Sequence, residues 1–148
     1  MSKELSIEVV PVSLAVFYRN PDEEHIEWWM QVRSEDGPLD GLLEFPGGKI
    51  EDGENTSKAV CRELVEEVGL QLEEEHVKLT LSHVHTYKDR KVLLHVHTVE
   101  GSAIELPEEG WHKVPWRDWK FVYGPKIPGA NNDILEKTLE FLRGEVNL

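Results

Sequence analysis

The sequence predicts an α/β sandwich, and three observations predict it: two β-rich runs near the start, a helix between Asn55 and Gly69 with punctuation at both ends, and a hairpin followed by a last amphipathic helix. Strands, helix, strands and helix in that order pack as layers around one hydrophobic core. Ser6 to Tyr18 is rich in Val, Leu and Ile and ends in the turn-forming Arg19-Asn20-Pro21-Asp22. Pro11 has no amide to donate, which suits an edge or a bulge better than a central strand. Ile26 to Val32 favours strand again and pairs with the first run; its adjacent Trp28 and Trp29 must point to opposite faces. Leu39 to Lys49 contains Pro46-Gly47-Gly48, which reads as a loop of unusual backbone shape.

Asn55, Thr56 and Ser57 are candidate N-caps and Gly69 a candidate C′ residue, so a helix is predicted over 57–68. At about 100° per residue, Val60, Cys61, Leu64, Val65 and Val68 share an apolar arc, and Glu63, Glu66 and Glu67 share a separate one. Val77 to Tyr87 and Lys91 to Val99 form a hairpin around Lys88-Asp89-Arg90, and a Trp-rich, proline-punctuated region leads to a final helix starting near Asn131 or Asn132. Most of the five tryptophans are expected in the core. His83, His85, His95 and His97 would share one sheet face if 83 stood opposite 95; a polar face or cleft lining is the preferred reading over a transition-metal site.

A chain of 148 residues with 39% hydrophobic content fits a single domain, 1–148. Its net charge of -13 opposes the field needed to track a nucleic-acid backbone, so long nucleic acid is an unlikely partner. A small phosphorylated substrate remains open, because carboxylates holding a divalent cation reverse the local sign. A lone cysteine, Cys61, excludes an internal disulfide and Cys-rich zinc modules, and no run is apolar enough to cross a bilayer, so a cytoplasmic protein without a membrane partner is expected.

The chemistry is concentrated in Gly48 to Leu70: Gly, five residues, Glu54, seven residues, then Arg62-Glu63-Leu64-Val65-Glu66-Glu67-Val68-Gly69-Leu70. Glu63, Glu66 and Glu67 stand at i, i+3 and i+4, which brings three carboxylates onto one patch of helix. Like charges so placed call for a cation, and hard oxygen donors without Cys or His select Mg²⁺ or Mn²⁺. Such a cation neutralises phosphoryl oxygens and lowers the pKa of an attacking water, the two requirements for cleaving an anionic anhydride. Arg62, at the margin of the Glu arc, is placed to ion-pair with Glu54 and clamp the preceding loop to the helix.

This segment resembles the signature of the Nudix hydrolase family, matching all nine of its fixed positions. The resemblance implies a mixed β-sheet sandwiched between helices. It also implies Glu66 and Glu67 as main metal ligands, Glu63 as ligand or base, the Gly47 carbonyl as a further ligand, and Glu54 positioning the loop or a water. Leu43 to Glu51 resembles the MutT-type branch, whose members hydrolyse nucleoside triphosphates, often oxidised purine ones, to a monophosphate and pyrophosphate. In that branch Arg33 and Lys49 take the places of phosphate-binding cations, although each also reads as a surface charge; Phe45, in the same segment, is a candidate substrate contact. Asn131 resembles the Asn that reads a purine edge at the last helix, although Asn131 or Asn132 also suits a plain cap. Glu109, with Glu105 and Glu108 beside it, lies where the family often places one more acidic ligand. The expected partner is a small nucleotide, and the expected assembly a monomer or homodimer. A nucleotide-sugar or RNA 5′-end hydrolase is the alternative, and a non-catalytic nucleotide-sensing module a weaker one.

Overall fold

The computed structural model describes residues 8–34 and 41–146, without the side chains of 145 and 146. The predicted strand start at Ser6 and Ile7 and the predicted loop start at Leu39 and Asp40 lie outside the described residues. The elements are β1 (Glu8–Arg19), β2 (His25–Trp29), β3 (Gln31–Val32), β4 (Leu43–Glu44), β5 (Gly47–Lys49), α1 (Thr56–Val68), β6 (Lys78–Thr86), β7 (Arg90–Glu100), β8 (Trp111–Pro115), α2 (Trp119–Val122) and α3 (Gly129–Val146). This is an α/β fold, a mixed sheet with helices packed against it. Contacts divide the chain into two units, 1–15 with 47–97 and 16–46 with 98–148, and β1 and β7 contribute residues to each.

In the first unit the strand order is β6-β7-β1, with β5 also on β1, and α1 packs against β5 and β6. Pro11 sits in the exposed first part of β1, where its carbonyl accepts from Ile50 N at 3.0 Å; having no N–H costs it nothing there. Pro46-Gly47-Gly48 does not form the irregular loop its composition suggests: Gly47–Lys49 is a strand, antiparallel to β1, with Val12 opposite Lys49, Ser13 opposite Gly48 and Leu14 opposite Gly47. Gly47 has φ 154°, and a Cβ there would overlap the Ser13 carbonyl, so the strand closes on β1 because the side chain is missing.

The helix α1 ends at Val68 as predicted and begins at Thr56, one residue ahead of the predicted start, with Asn55 of the three candidates as its cap. Asn55 Oδ1 caps the Lys58 amide at 2.8 Å, and Gly69, at φ 71°, turns the chain out while its N–H reaches Val65 O at 3.1 Å. The buried stripe is narrower than predicted: Ala59, Val60 and Leu64 are buried, whereas Val65 is 51% exposed. Tyr87 N donates to Arg90 O at 2.8 Å over a turn at Lys88 and Asp89, which carries Ser82 opposite His95 along the ladder; Ser82 Oγ and His95 Nδ1 meet at 2.8 Å. The register is therefore one residue away from the one that would gather four histidines, and His83 and His85 share one face while His95 and His97 share the other.

In the second unit the order is β1-β2-β8, and β3 and β4 pair separately. Tyr18 lies opposite Trp28, and Trp28 opposite His112. Trp28 is fully buried and meets Phe45 at 6.4 Å; Trp29, 4% exposed, meets Phe17 edge-on at 6.5 Å. Both faces of β2 are thus covered, as adjacent buried tryptophans require. The Trp29 indole N–H donates to Pro107 O at 2.9 Å, and a Cβ at Gly110 would overlap that ring. Trp116 and Trp119 are also buried, and α3 adds Ile134, Leu135, Leu139 and Leu142 to the core. The helix starts at Gly129, ahead of the predicted start. Asn132 Nδ2 donates to the carbonyls of Gly124 and Ile127 at 3.1 and 3.2 Å, closing the preceding turn instead of capping α3.

Candidate active site

The first unit carries the whole of the 48–70 motif. Because α1 holds the helical period from Thr56 to Val68, the side chains of Glu63, Glu66 and Glu67 emerge on one side of it. Beside them runs β5. Gly47 N donates to Glu67 Oε2 at 3.0 Å, which ties the strand to the end of the helix. Gly48 has a different role: a Cβ there would fall inside the Glu63 carboxylate, so its absence lets that carboxylate sit against the strand. As a fixed position in a pattern, Gly48 carries no sign of what it faces, and that role was not legible from sequence.

Arg62 organises the cluster. Its Nε and Nη2 grip Glu54 at 2.7 and 3.0 Å, and Nη2 also donates to the Lys49 carbonyl at 2.9 Å. Nη1 faces Glu63 at 3.0 Å, Glu66 at 3.4 Å and Glu51 at 3.6 Å. The expected pair with Glu54 is present and bidentate, the strongest arrangement open to a guanidinium and a carboxylate. Glu54 also accepts from Glu51 N at 2.8 Å. The Arg62 fork, followed by that amide, holds the Glu54 carboxyl below its ordinary range, and Glu54 in turn holds Arg62 firmly charged.

One guanidinium thus faces four carboxylates, those of Glu51, Glu54, Glu63 and Glu66, with Glu67 on the same helix side. The uncompensated charge and the all-oxygen donor set fit a hard divalent cation, and Glu63, Glu66, Glu67 and the Gly47 carbonyl are the groups that could hold it. The exposed Lys49 stands on β5 in this unit.

The remaining predicted residues belong to the second unit. Arg33 is bound to Glu44 at 3.0 Å next to the β3–β4 pair. Phe45 is 3% exposed with its edge against Trp28, a core position. Asn131 is half-buried in the first turn of α3. Glu109 is exposed in a short 3₁₀ turn over Glu108–Gly110, and its neighbour Glu108 is bound to Arg19 at 2.6 Å.

The family model described as NUDIX domain matches residues 15–137. The chain belongs to the Nudix family. An 8-oxo-dGTP diphosphatase of Escherichia coli K12 is 32% identical over 123 residues, covering 77% of this chain and 87% of that protein. Among solved structures, the E. coli ORF135 protein shares the fold with a TM-score of 0.63 at 23% identity, over 93% of this chain and 94% of that one. A bifunctional NMN adenylyltransferase/ADP ribose pyrophosphatase of Francisella tularensis, complexed with AMP and a Mn ion, gives a TM-score of 0.61 at 21% identity, over 91% of this chain and 42% of that one. This Nudix chain is a MutT-type pyrophosphohydrolase acting on phosphoanhydride bonds of nucleotides. None of its described helices is long and apolar enough to cross a membrane.

Proposed function

We propose that this Nudix enzyme hydrolyses a nucleoside triphosphate, with an oxidised purine nucleotide as the first candidate, to the monophosphate and pyrophosphate, using Mg²⁺ or Mn²⁺. The observation that carries the metal dependence is the excess of carboxylate over guanidinium around Arg62. Glu63, Glu66, Glu67 and the Gly47 carbonyl would hold the ion. When bound, it supplies neutralising charge to the phosphoryl oxygens and lowers the pKa of a water. Arg62 and Glu54 fix the spacing between β5 and α1, so the carboxylates are preorganised and little rearrangement is left to the reaction step. The similarity to an 8-oxo-dGTP diphosphatase over 87% of that protein favours the triphosphate substrate. Lys49, Arg33, Phe45 and Asn131 as substrate contacts, and Glu109 as a further acid, are proposed on resemblance to the MutT-type branch. The single cysteine favours a reducing, cytoplasmic setting for the enzyme.

A panel of nucleotides with Mg²⁺, including oxidised and ordinary purine triphosphates and ADP-ribose, tests the substrate. Monophosphate plus pyrophosphate from a triphosphate is expected; orthophosphate alone refutes the reading. Glu67→Gln is expected to lower turnover about 10²–10⁴-fold with an unchanged circular dichroism spectrum. Unchanged turnover would remove Glu67 from the chemistry.

A further inference from the structure

His97 is fully buried on β7, an unusual place for an imidazole with no part in the motif. Its Nδ1 lies 3.1 Å from Leu14 O. A carbonyl can only accept, so Nδ1 carries the proton and, in the neutral ring, Nε2 is left as an acceptor. Thr56 Oγ1 fills that role as donor, at 3.0 Å. Burial pushes the imidazole pKa down and keeps this tautomer neutral. Thr56 is the first residue of α1, and its carbonyl accepts from the buried Ser13 hydroxyl at 2.9 Å. Two neutral hydrogen bonds therefore hold the first turn of the catalytic helix to β1 and β7.

Ser13 and Leu14 are also the residues that stand opposite Gly48 and Gly47. The contacts close a circuit, from Gly47 across to Leu14, through His97 to Thr56, along α1 to Glu67, and back to Gly47 N. We infer that His97 and Thr56 are positioning residues for the hydrolysis, setting the rotation and height of α1 against β5 and hence the place of its carboxylates beside the Gly47-Gly48 backbone. Apolar side chains would fill the same space, but only directional bonds fix a helix in rotation as well as distance. The inference rests on the reading of the motif as a metal site.

Thr56→Val removes the hydroxyl while keeping the shape, and Thr56→Ser keeps the hydroxyl. Mn²⁺ binding to each nucleotide-free protein, followed by the electron paramagnetic resonance of free Mn²⁺, is measured beside kcat, KM and melting temperature. Valine is expected to weaken Mn²⁺ binding about tenfold, the equivalent of one lost hydrogen bond, and to lower kcat with KM for the nucleotide unchanged. Serine is expected to keep both near the unmodified values. Valine equal to the unmodified protein, or serine as weak as valine, overturns the inference. Should Thr56→Val not fold, Ser13→Ala breaks the other bond and is expected to weaken Mn²⁺ in the same sense; unchanged binding there also overturns it. No Mn²⁺ binding by the unmodified protein is a separate failure, that of the metal site itself, and takes the inference with it.

Discussion

The two ends of α1 are held by opposite kinds of contact. At the carboxylate-bearing half, a partly exposed Arg62 fork gathers Glu54, Glu63, Glu66 and the Lys49 carbonyl. At the first turn, uncharged groups meet: the buried Ser13 and His97 and the half-buried Thr56. The charged brace responds to water, salt and any cation that competes for its carboxylates. The neutral brace answers to none of these and fails only when its partners are changed or protonated. A helix that held the proposed cation at one end would gain from being anchored at the other by contacts that the cation's field does not disturb.

The largest effect expected from breaking this contrast is at the charged brace. Arg62→Lys keeps the charge but loses the fork, so turnover should drop about a hundredfold, the scale of a small displacement of catalytic groups, and added salt should deepen the loss. Steady-state rates at low and high salt check this; a lysine variant with full activity would show that charge alone suffices. Gly48→Ala comes next. Its Cβ displaces the Glu63 carboxylate, and Mn²⁺ affinity should fall about tenfold with little change in melting temperature. Calorimetric titration would contradict this by finding equal affinity.

The smallest effect separates the braces by pH. Burial lowers the folded pKa of His97, and likewise of His95 and His112, from 6.5, while the unfolded chain takes up protons near that value. Stability from keeping these rings neutral is therefore complete above about pH 6.5 and is lost as pH falls below it. Glu54 is lowered from 4.5 mainly by Arg62, and Glu27 and Asp22 are lowered by hydrogen bonds, so their contribution is present above the ordinary carboxylate range and lost only in stronger acid. Denaturant midpoints taken from pH 8 to pH 3 should decline in two stages. A flat profile down to pH 5 would contradict the buried-histidine stage.

The charged brace was legible in the sequence and the neutral one was not, for a physical reason. Glu63, Glu66 and Glu67 lie within one helix, so helical spacing predicts their meeting, and Arg62 with the nearby Glu54 was legible because the loop that carries Glu54 leads directly into that helix. His97 meets Leu14 and Thr56 across long stretches of chain, and the strand register that joins them is not written in the periodicity of either segment. The same distinction runs through the fold. The limits of α1, to within a residue, and the place of the β6–β7 hairpin depend on neighbours in sequence and were predicted from the cap candidates Asn55, Thr56 and Ser57, from Gly69 and from Lys88-Asp89-Arg90, although Arg90 already belongs to β7. The strand at Gly47–Lys49, the exposure of Val65 and the separation of the histidine pairs depend on which distant backbone lies alongside. Phe45 meets Trp28 edge-on, a placement set by tertiary packing that its own segment does not announce.

The paired indoles of β2 have a consequence for strand alignment. In most half-buried strands, slipping by one residue is penalised because a polar side chain is driven inward. Here a slip exchanges Trp28 for Trp29, one large apolar ring for another, so hydrophobicity discriminates weakly between the two alignments at this point. What tells them apart is shape and a single donor: the notch at Gly110 that admits one indole, and the Pro107 carbonyl that receives its N–H. A missing methyl group on a neighbouring turn thus acts as the key that selects which tryptophan faces which way.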